Sequence, residues 1–542
     1  MKKILEFFPL KEPRPRQIKA FDFVEQAYAD GYRDIVIEAP TGAGKSAIAA
    51  AIGLWAASLD IPGGFGRGAY ALVNQKLLQD QLAKDLPNFD SAKGRAAQIK
   101  SAVEYICPTH KLCSQGGLKK CACRKGGTCP YKIAKDAFNS AELGVTNYAY
   151  YFTAREGSKM APEPTFVDRS VLCCDEAHNL GRIIIRFVDV GVSGETLERW
   201  TPLLASDTDL TKLNTLDKFC AWVVEKYIPE LHECAKDFAA ISDGDVEQMQ
   251  EAVAFEQHAC KVARAIELIE SNPSNWVFWQ ETCRKKNGSP DTQIIARPLD
   301  AAPFFKSMVE DGASLRVYLS AYLGPKSVFC RDLGLDPERV KWLRLGSDFP
   351  PENRPVHFLS IGSLSRANLE QTQPRALAMV DKIASIHAGE RGLIHCHSYA
   401  FGAAIADKLC AGPNRSRVRF PKTADDRNGA IEEHAAADNS ILISPSIGEG
   451  FDFKDELARW QIIYKCPFPS MGDKQVAAKA AEDSEWYDFE TVKAILQMAG
   501  RICRSASDHG KTYVIDSDAA KLISRYQDRL PQWFLNSLHF QK

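Results

Sequence analysis

The chain has 542 residues, 45% of them hydrophobic and 25% charged, with a formal net charge of −1. That is ordinary globular composition, long enough for roughly three or four domains. A charge so close to zero excludes a polycation that holds nucleic acid over its whole surface, so such a partner needs local basic surface. No stretch of about 18 apolar residues occurs, and Met1–Leu10 lacks a cleavage-like small-residue site, so a cytoplasmic protein without a membrane span is expected.

In chain order, Ile35–Glu38 reads as a short buried strand and Ser46–Leu59, rich in Ala, as a helix. Between them lies Ala39-Pro40-Thr41-Gly42-Ala43-Gly44-Lys45-Ser46. Strand, small-residue loop and helix form the context of a phosphate-binding loop, whose inward N–H groups cradle phosphate oxygens at a helix N-terminus. In that reading Lys45 reaches the β- and γ-phosphates of ATP and the Ser46 hydroxyl ligates Mg²⁺. Ala39 stands where the strict pattern has Gly, while Gly42, Gly44 and Lys45 are kept. The alternative is a chance glycine-rich turn.

Gly68–Val73 reads as a second strand, followed by an amphipathic helix through Gln75–Leu86. From Lys93 to Lys135 there are ten Lys or Arg and one acid, Glu104. Taken alone, such a run is a solvated face. The chain has 16 cysteines, of which five crowd into this stretch: Cys107, Cys113, Cys121, Cys123 and Cys129. Others, such as Cys330, Cys396 and Cys466, stand singly among apolar residues as buried thiols do. Four thiolates on loops with irregular spacing can bind a [4Fe–4S] cluster or structural Zn²⁺, although two CxxC knuckles are lacking.

Val171–Cys174 is a further apolar strand and ends in Asp175-Glu176-Ala177-His178. An acid pair at the carboxyl end of a parallel strand lies where open α/β sheets bind ligands. Asp175 would hold Mg²⁺ through water and Glu176 would orient or deprotonate the attacking water. Through residues 191–305 strand signals fade, and helical patterns such as Leu216–Ala239 and Val246–Glu270 predict a mostly helical insertion. Strand-like runs return at Leu315–Leu319, Gly392–Cys396, Ile441–Ser444, Gln461–Tyr464 and Thr512–Ile515, predicting a second α/β unit.

These motifs, in this order, resemble the XPD/DinG branch of superfamily 2 helicases. Pro15-Arg16-Gln17 resembles its adenine-reading glutamine motif, and Asp175–His178 its DEAH box. Ser320-Ala321-Tyr322 stands where the family has Ser-Ala/Gly-Thr, and Leu333-Gly334-Leu335 follows. Phe349-Pro350-Pro351-Glu352-Asn353-Arg354 resembles the Phe-x-x-Glu-Asn-Arg stretch. Gly448–Phe453, with Asp452, resembles motif V, and Gln497–Arg504 motif VI. Tyr322 departs from the family's threonine, a position tied to coupling of ATP state and strand binding.

The resemblance implies two RecA-like α/β domains with an inserted iron–sulfur cluster domain and a helical Arch domain. The expected division is 1–92, 141–190 and 306–335 for the first RecA-like domain and 336–542 for the second. The cluster domain takes 93–140 and the Arch 191–305. Gln17 would read adenine, with Thr41, Gly42, Gly44, Lys45, Ser46 and Asp452 also at the nucleotide. Gln497 would place the water, and Arg501 and Arg504, an i, i+3 pair on one helical face, would approach the γ-phosphate. Cys107 and Cys129 resemble the first and last cluster ligands. Cys113 and Cys121 are taken for the middle two, with Cys123 as a substitute. The implied activity is ATP-driven 5′→3′ movement of a monomer on single-stranded DNA and unwinding of forked duplex. A translocase that strips proteins or RNA, and a non-hydrolysing redox or scaffold subunit, are the alternatives. About 38 residues precede Ala39, too few for the N-terminal exonuclease domain of some DinG relatives.

Overall fold

The computed structural model describes residues 2–59, 64–74, 95–107, 122–160, 166–241, 246–423, 425–445, 453, 455–505 and 507–540. Its strands, in chain order, begin with β1 (Asp34–Glu38), β2 (Gly66–Val73), β3 (Ala96–Gln98), β4 (Leu143–Asn147) and β5 (Arg169–Cys174). Next come β6 (Val190–Ser193), β7 (Trp276–Arg284), β8 (Pro290–Pro298), β9 (Leu315–Ser320) and β10 (Val340–Arg344). The rest are β11 (Val356–Gly362), β12 (Gly392–His395), β13 (Val418–Arg419), β14 (Ile441–Ser444), β15 (Trp460–Ile463), β16 (Lys511–Asp516) and β17 (Leu538–Phe540).

Among the described residues they form two seven-stranded parallel sheets, ordered β10-β1-β9-β5-β2-β4-β3 and β13-β14-β12-β15-β16-β11-β17. Each is covered on both faces, so its central strands are continuous apolar runs. Within β1 the alternation still sorts side chains. Ile35 and Ile37 join Val171, Val317 and Leu319 on one face, and Val36 joins Leu72, Leu172 and Tyr318 on the other. These are the two RecA-like α/β units that the sequence implies. Arg316 of β9 pairs with Asp34 of β1 through two hydrogen bonds of 2.7 Å, and the Tyr318 hydroxyl donates to the same carboxylate at 2.8 Å. This buried group pins the register Asp34↔Arg316.

Three expectations need correction. First, β10 pairs in parallel with β1, Asp34 opposite Val340. The first sheet therefore continues to Arg344, beyond the expected boundary at 335, because Val340 and Leu343 find their buried neighbours there. Second, β3 lies inside the expected cluster segment 93–140, yet pairs with β4 of the first sheet. Third, the 191–305 insertion is not purely helical. Helices span Leu216–Trp222, Ile228–Ile241 and Val246–Ser271, and β6, β8 and β7 form an antiparallel sheet. Its hairpin turns at Asn287-Gly288, with Gly288 at φ 86° and its N–H donating to Lys285 at 2.8 Å. An Asn-Gly pair between strands is a strong turn signal, and it marks this hairpin within a stretch of helical patterns. The expected Gln75–Leu86 helix lies outside the described residues.

The second unit is tied to the first and to the insertion. In helix Lys474–Glu482, the buried Lys479 pairs with Asp300 at 3.0 Å and with Asp332. Gln475 donates to the Leu299 carbonyl at 2.9 Å, and Arg297 bridges Asp189 and Asp473.

Candidate nucleotide site

The parallel register brings three loops to one edge of the first sheet. Glu38, at the end of β1, is level with Ser320 of β9 and Arg344 of β10, and β5 ends beside β9 with Cys174 opposite Tyr318. The phosphate-binding loop, the Asp-Glu pair and the Ser-Ala-Tyr turn therefore emerge together. Glu38 braces them: its carboxylate pairs with Arg344 and accepts the Leu323 N–H at 2.8 Å. Burial pushes its pKa up, against the pull of Arg344.

Gly42 and Gly44 take φ of 80° and 77°, a left-handed backbone that glycine adopts without strain. The helix Lys45–Ala56 begins directly after Gly44, so Lys45 and Ser46 lie at its N-terminal end. The loop is held from behind by helix Pro15–Ala29, started by Pro15 at its first position. Gln17 accepts the Arg14 N–H at 2.9 Å and donates to the Ala43 carbonyl at 3.3 Å. Both ends of its amide are thus engaged with backbone. Arg14 donates to the Gly42 carbonyl at 2.6 Å.

Glu176 follows β5 with φ 48°, a left-handed conformation that costs a non-glycine residue about 1–3 kcal/mol and recurs at functional sites. Its N–H donates to Asp175 Oδ1 at 2.9 Å. Burial and the neighbouring Glu176 charge push the Asp175 carboxyl up to about 7, against the pull of Lys45. Burial opposes ionisation of Glu176 as well. Lys45, His178 and Arg501 outweigh it and hold this carboxyl below the usual range. His178 Nδ1 lies 3.2 Å from Glu176 Oε2 and 2.9 Å from the Ser320 hydroxyl.

The second unit closes the cleft. Gln497, in helix Ser484–Ala499, reaches the His178 ring at 3.4 Å, and Lys493 donates to the His178 carbonyl at 3.4 Å. Thr41 Oγ1 is 2.8 Å from where a side chain on Gly500 would begin, and the Arg504 carbonyl is 3.0 Å from the same point on Gly42. Arg501 and Arg504 are not the expected i, i+3 helical pair. The helix ends at Ala499 with Gly500 as its cap, and the following loop is held by Asp508, which accepts the Arg504 N–H at 2.9 Å.

Sequence reasoning missed two neighbours of the loop. Phe349, from the connection between the two sheets, lies on Gly42 so closely that any side chain there would strike its ring. Arg354, stacked 5.5 Å from the Trp533 ring, lines a small cavity with Thr41 and Gly500. Both belong to the Phe-x-x-Glu-Asn-Arg stretch, which was the available signal. Asp452 lies outside the described residues.

Among the cysteines, Cys107, Cys123 and Cys129 are buried, and Cys107 Sγ is 3.5 Å from Cys123 Sγ. Cys113 and Cys121 lie outside the described residues. Among the described residues no group of three or more Cys, His, Asp or Glu is gathered as a metal site. No described helix is long and apolar enough to cross a membrane.

Family models match two parts of the chain. The model described as "Type III restriction enzyme, res subunit" matches residues 10–190, and "Helicase C-terminal domain" matches 381–537. A regulator of telomere elongation helicase 1 homolog of Drosophila persimilis is 24% identical over 234 residues, 39% of this chain and 22% of that protein. Its Drosophila grimshawi counterpart is 28% identical over 142 residues, 23% of this chain and 14% of that protein. The matched stretches thus span less than a quarter of these relatives' length. Among solved structures, "XPD_Helicase" gives a TM-score of 0.61 at 15% identity, covering 98% of this chain and 100% of that one. The Xpd4 structure of S. tokodaii gives 0.57 at 13% identity, with 98% and 100% covered. With two parallel sheets of this order and the nucleotide motifs meeting between them, the chain belongs to the XPD/DinG-like family of superfamily 2 helicases.

Proposed function

We propose that this protein is an ATP-driven motor that moves 5′→3′ along single-stranded DNA and unwinds forked duplex. The observation that carries the reading is the cleft itself. Gln497 and Lys493 of the second unit meet His178 of the first at 3.4 Å, and His178 lies 3.2 Å from Glu176. Lys45 and the loop N–H groups hold the phosphates, and the Ser46 hydroxyl with the Asp175 carboxylate would hold Mg²⁺. Glu176, kept ionised by its cationic neighbours, takes a proton from the water that attacks the γ-phosphorus. Gln497 positions that water with His178, and Arg501 and Arg504 stabilise the charge that develops on the transferred group. Gln17 acts as a brace for the loop.

A cavity of about 1100 Å³ between helix Tyr148–Met160 and helix Val246–Ser271 offers a path for the strand. Arg186, Lys261 and Arg264 line it beside Glu156 and Glu256, and cations on such a wall can meet a strand's phosphates.

We further propose that the thiols near Cys107 hold the [4Fe–4S] cluster. Cys107, Cys123 and Cys129 are buried, and the Cys107 and Cys123 sulfurs, 3.5 Å apart, suit a pair of thiolate ligands. That contact makes Cys123 a candidate ligand beside Cys107. Such a group supplies folding energy to a segment poor in apolar residues.

ATPase with and without single-stranded DNA, and strand displacement on 5′- and 3′-tailed duplexes, test the proposal. DNA-stimulated hydrolysis with unwinding only from the 5′ tail is expected, weakening steeply with salt. Hydrolysis without strand displacement points to the stripping translocase, and no hydrolysis to a scaffold.

A further inference from the structure

Arg354 is a cation in the cleft with no anion to balance it. It lies in Phe349-Pro350-Pro351-Glu352-Asn353-Arg354-Pro355, the connection between the two sheets, where three prolines restrict the backbone. Both ends of that connection are fixed. On the first unit, Asp348 pairs with Arg16 at 2.5 Å and Phe349 lies on Gly42. On the second, the Asn353 carbonyl accepts the Gly510 N–H at 2.9 Å, and Val356 enters β11. The guanidinium itself stacks 5.5 Å from the Trp533 ring.

Other enclosed arginines of this protein meet oxygens. Arg316 has Asp34, Arg459 has Asp508, and Arg417 has the carbonyls of Ala384 and His387. Among the described residues Arg354 has no such partner. Its buried Nε is unbonded, and the acid that acts on it, Glu352, is exposed. Burial works against its charge and lowers its pKa. A guanidinium left this way costs stability, and the Trp533 face returns only part of it.

The nucleotide site lies on both sides of this side chain. Arg354, Thr41 of the phosphate-binding loop and Gly500, the residue before Arg501, line a cavity of about 20 Å³. That is room for about one water or one oxygen of a ligand. The ligand that such a group suits is a phosphate. A planar guanidinium presents parallel donors that match phosphate oxygens, and stacking on an aromatic face fixes its plane.

Resting on the nucleotide site proposed above, we propose that Arg354 is a further nucleotide-binding residue that receives a phosphate oxygen, with Trp533 as the positioning residue that holds its plane. Lys45 then grips the phosphates from the first unit, Arg501 and Arg504 from the second, and Arg354 from the connection between them.

The test uses the full chain without DNA, so it does not depend on movement or unwinding. Thermal midpoints are titrated with magnesium AMP-PNP, and with magnesium pyrophosphate, which carries phosphates but no base. Arg354→Met is expected to weaken both ligands about 10–100-fold, as loss of one charged hydrogen bond does. Its ligand-free midpoint should hold or rise, since an unpaired cation is gone. Arg354→Lys keeps the charge without the planar fork and should fall between wild type and Arg354→Met. Trp533→Leu should weaken both ligands about threefold, because the side chain must then be ordered on binding; unchanged affinity there removes the positioning role. Affinities of Arg354→Met within about threefold of wild type for both ligands overturn the proposal, and the residue is then structural. Weaker AMP-PNP with unchanged pyrophosphate overturns the phosphate assignment and places base or ribose at Arg354. If Arg354→Met does not fold, Arg354→Lys is read in its place, and wild-type affinity for both ligands overturns the proposal. A wild-type chain that binds neither ligand overturns the nucleotide site itself, whereas binding that survives in Arg354→Met overturns only Arg354.

Discussion

Replacing Glu176 by Gln isolates the proton-accepting role of one oxygen. Gln keeps the length of the side chain, so the left-handed backbone at φ 48° and the Asp175 contact to the residue 176 N–H stay as they are. What changes is charge and basicity. In the wild type Lys45, His178 and Arg501 hold the carboxylate ionised, ready to take a proton, whereas a neutral amide cannot. General-base removal costs about 10²–10⁴ in rate, which is about 2.7–5.4 kcal/mol at about 1.36 kcal/mol per tenfold. Nucleotide affinity should hold or rise, since Lys45 and Arg501 lose a competing anion. Single-turnover hydrolysis with saturating single-stranded DNA, beside titration of a fluorescent ATP analogue, separates the two quantities. Turnover within threefold of wild type would refute the base assignment. Parallel loss of nucleotide binding would show instead that the side chain shapes the pocket.

Arg504→Ala should lower turnover by about 10³–10⁵ with little change in nucleotide affinity, as for arginines that meet the transferred phosphoryl group; weakened DNA binding with unchanged turnover places it on another surface. Asp34→Ala leaves Arg316 buried without its bidentate partner and should destabilise the first sheet by about 3–5 kcal/mol in urea unfolding, a loss under about 1 kcal/mol meaning that water replaces the carboxylate. Cys107→Ser and Cys123→Ser should both lose iron by metal analysis while keeping part of the ATPase; full iron content in the Cys123→Ser protein would remove Cys123 from the ligand set. Burial lowers His258, stacked on Trp200 and bonded to the Tyr227 hydroxyl, to about 4 from its usual 6.5. Its folded form resists protonation, so its contribution is full above about pH 6.5 and is lost as pH falls toward 4. A His258→Gln protein should show a smaller drop in unfolding midpoint between pH 7 and pH 5 than wild type, and an equal drop would exclude this residue.

What could be read from the residues alone was local. Ala39–Ser46 needs only its own glycines and the flanking apolar runs to specify strand, loop and helix, and Val171–Cys174 with Asp175 and Glu176 is legible for the same reason. Both rest on side-chain type and short-range backbone preference. The Asn287-Gly288 hairpin was equally local and was passed over among helical patterns. Other features were decided by neighbours far away in the chain. Val340–Arg344 carries no mark of which sheet it joins; its apolar residues settle beside Asp34–Glu38 because that edge buries them. Arg501 and Arg504 keep helical spacing, but Gly500 ends the helix and Asp508, with its carboxylate on the Arg504 N–H, holds the loop that follows. The contact of Gln17 with the Ala43 carbonyl likewise depends on the first helix packing behind the loop. Tyr322 shows the limit most plainly. Its departure from the family's threonine is visible in one letter, but the core that receives its ring is built mostly by residues between 356 and 534, and only packing of the second unit against the first brings that core to it.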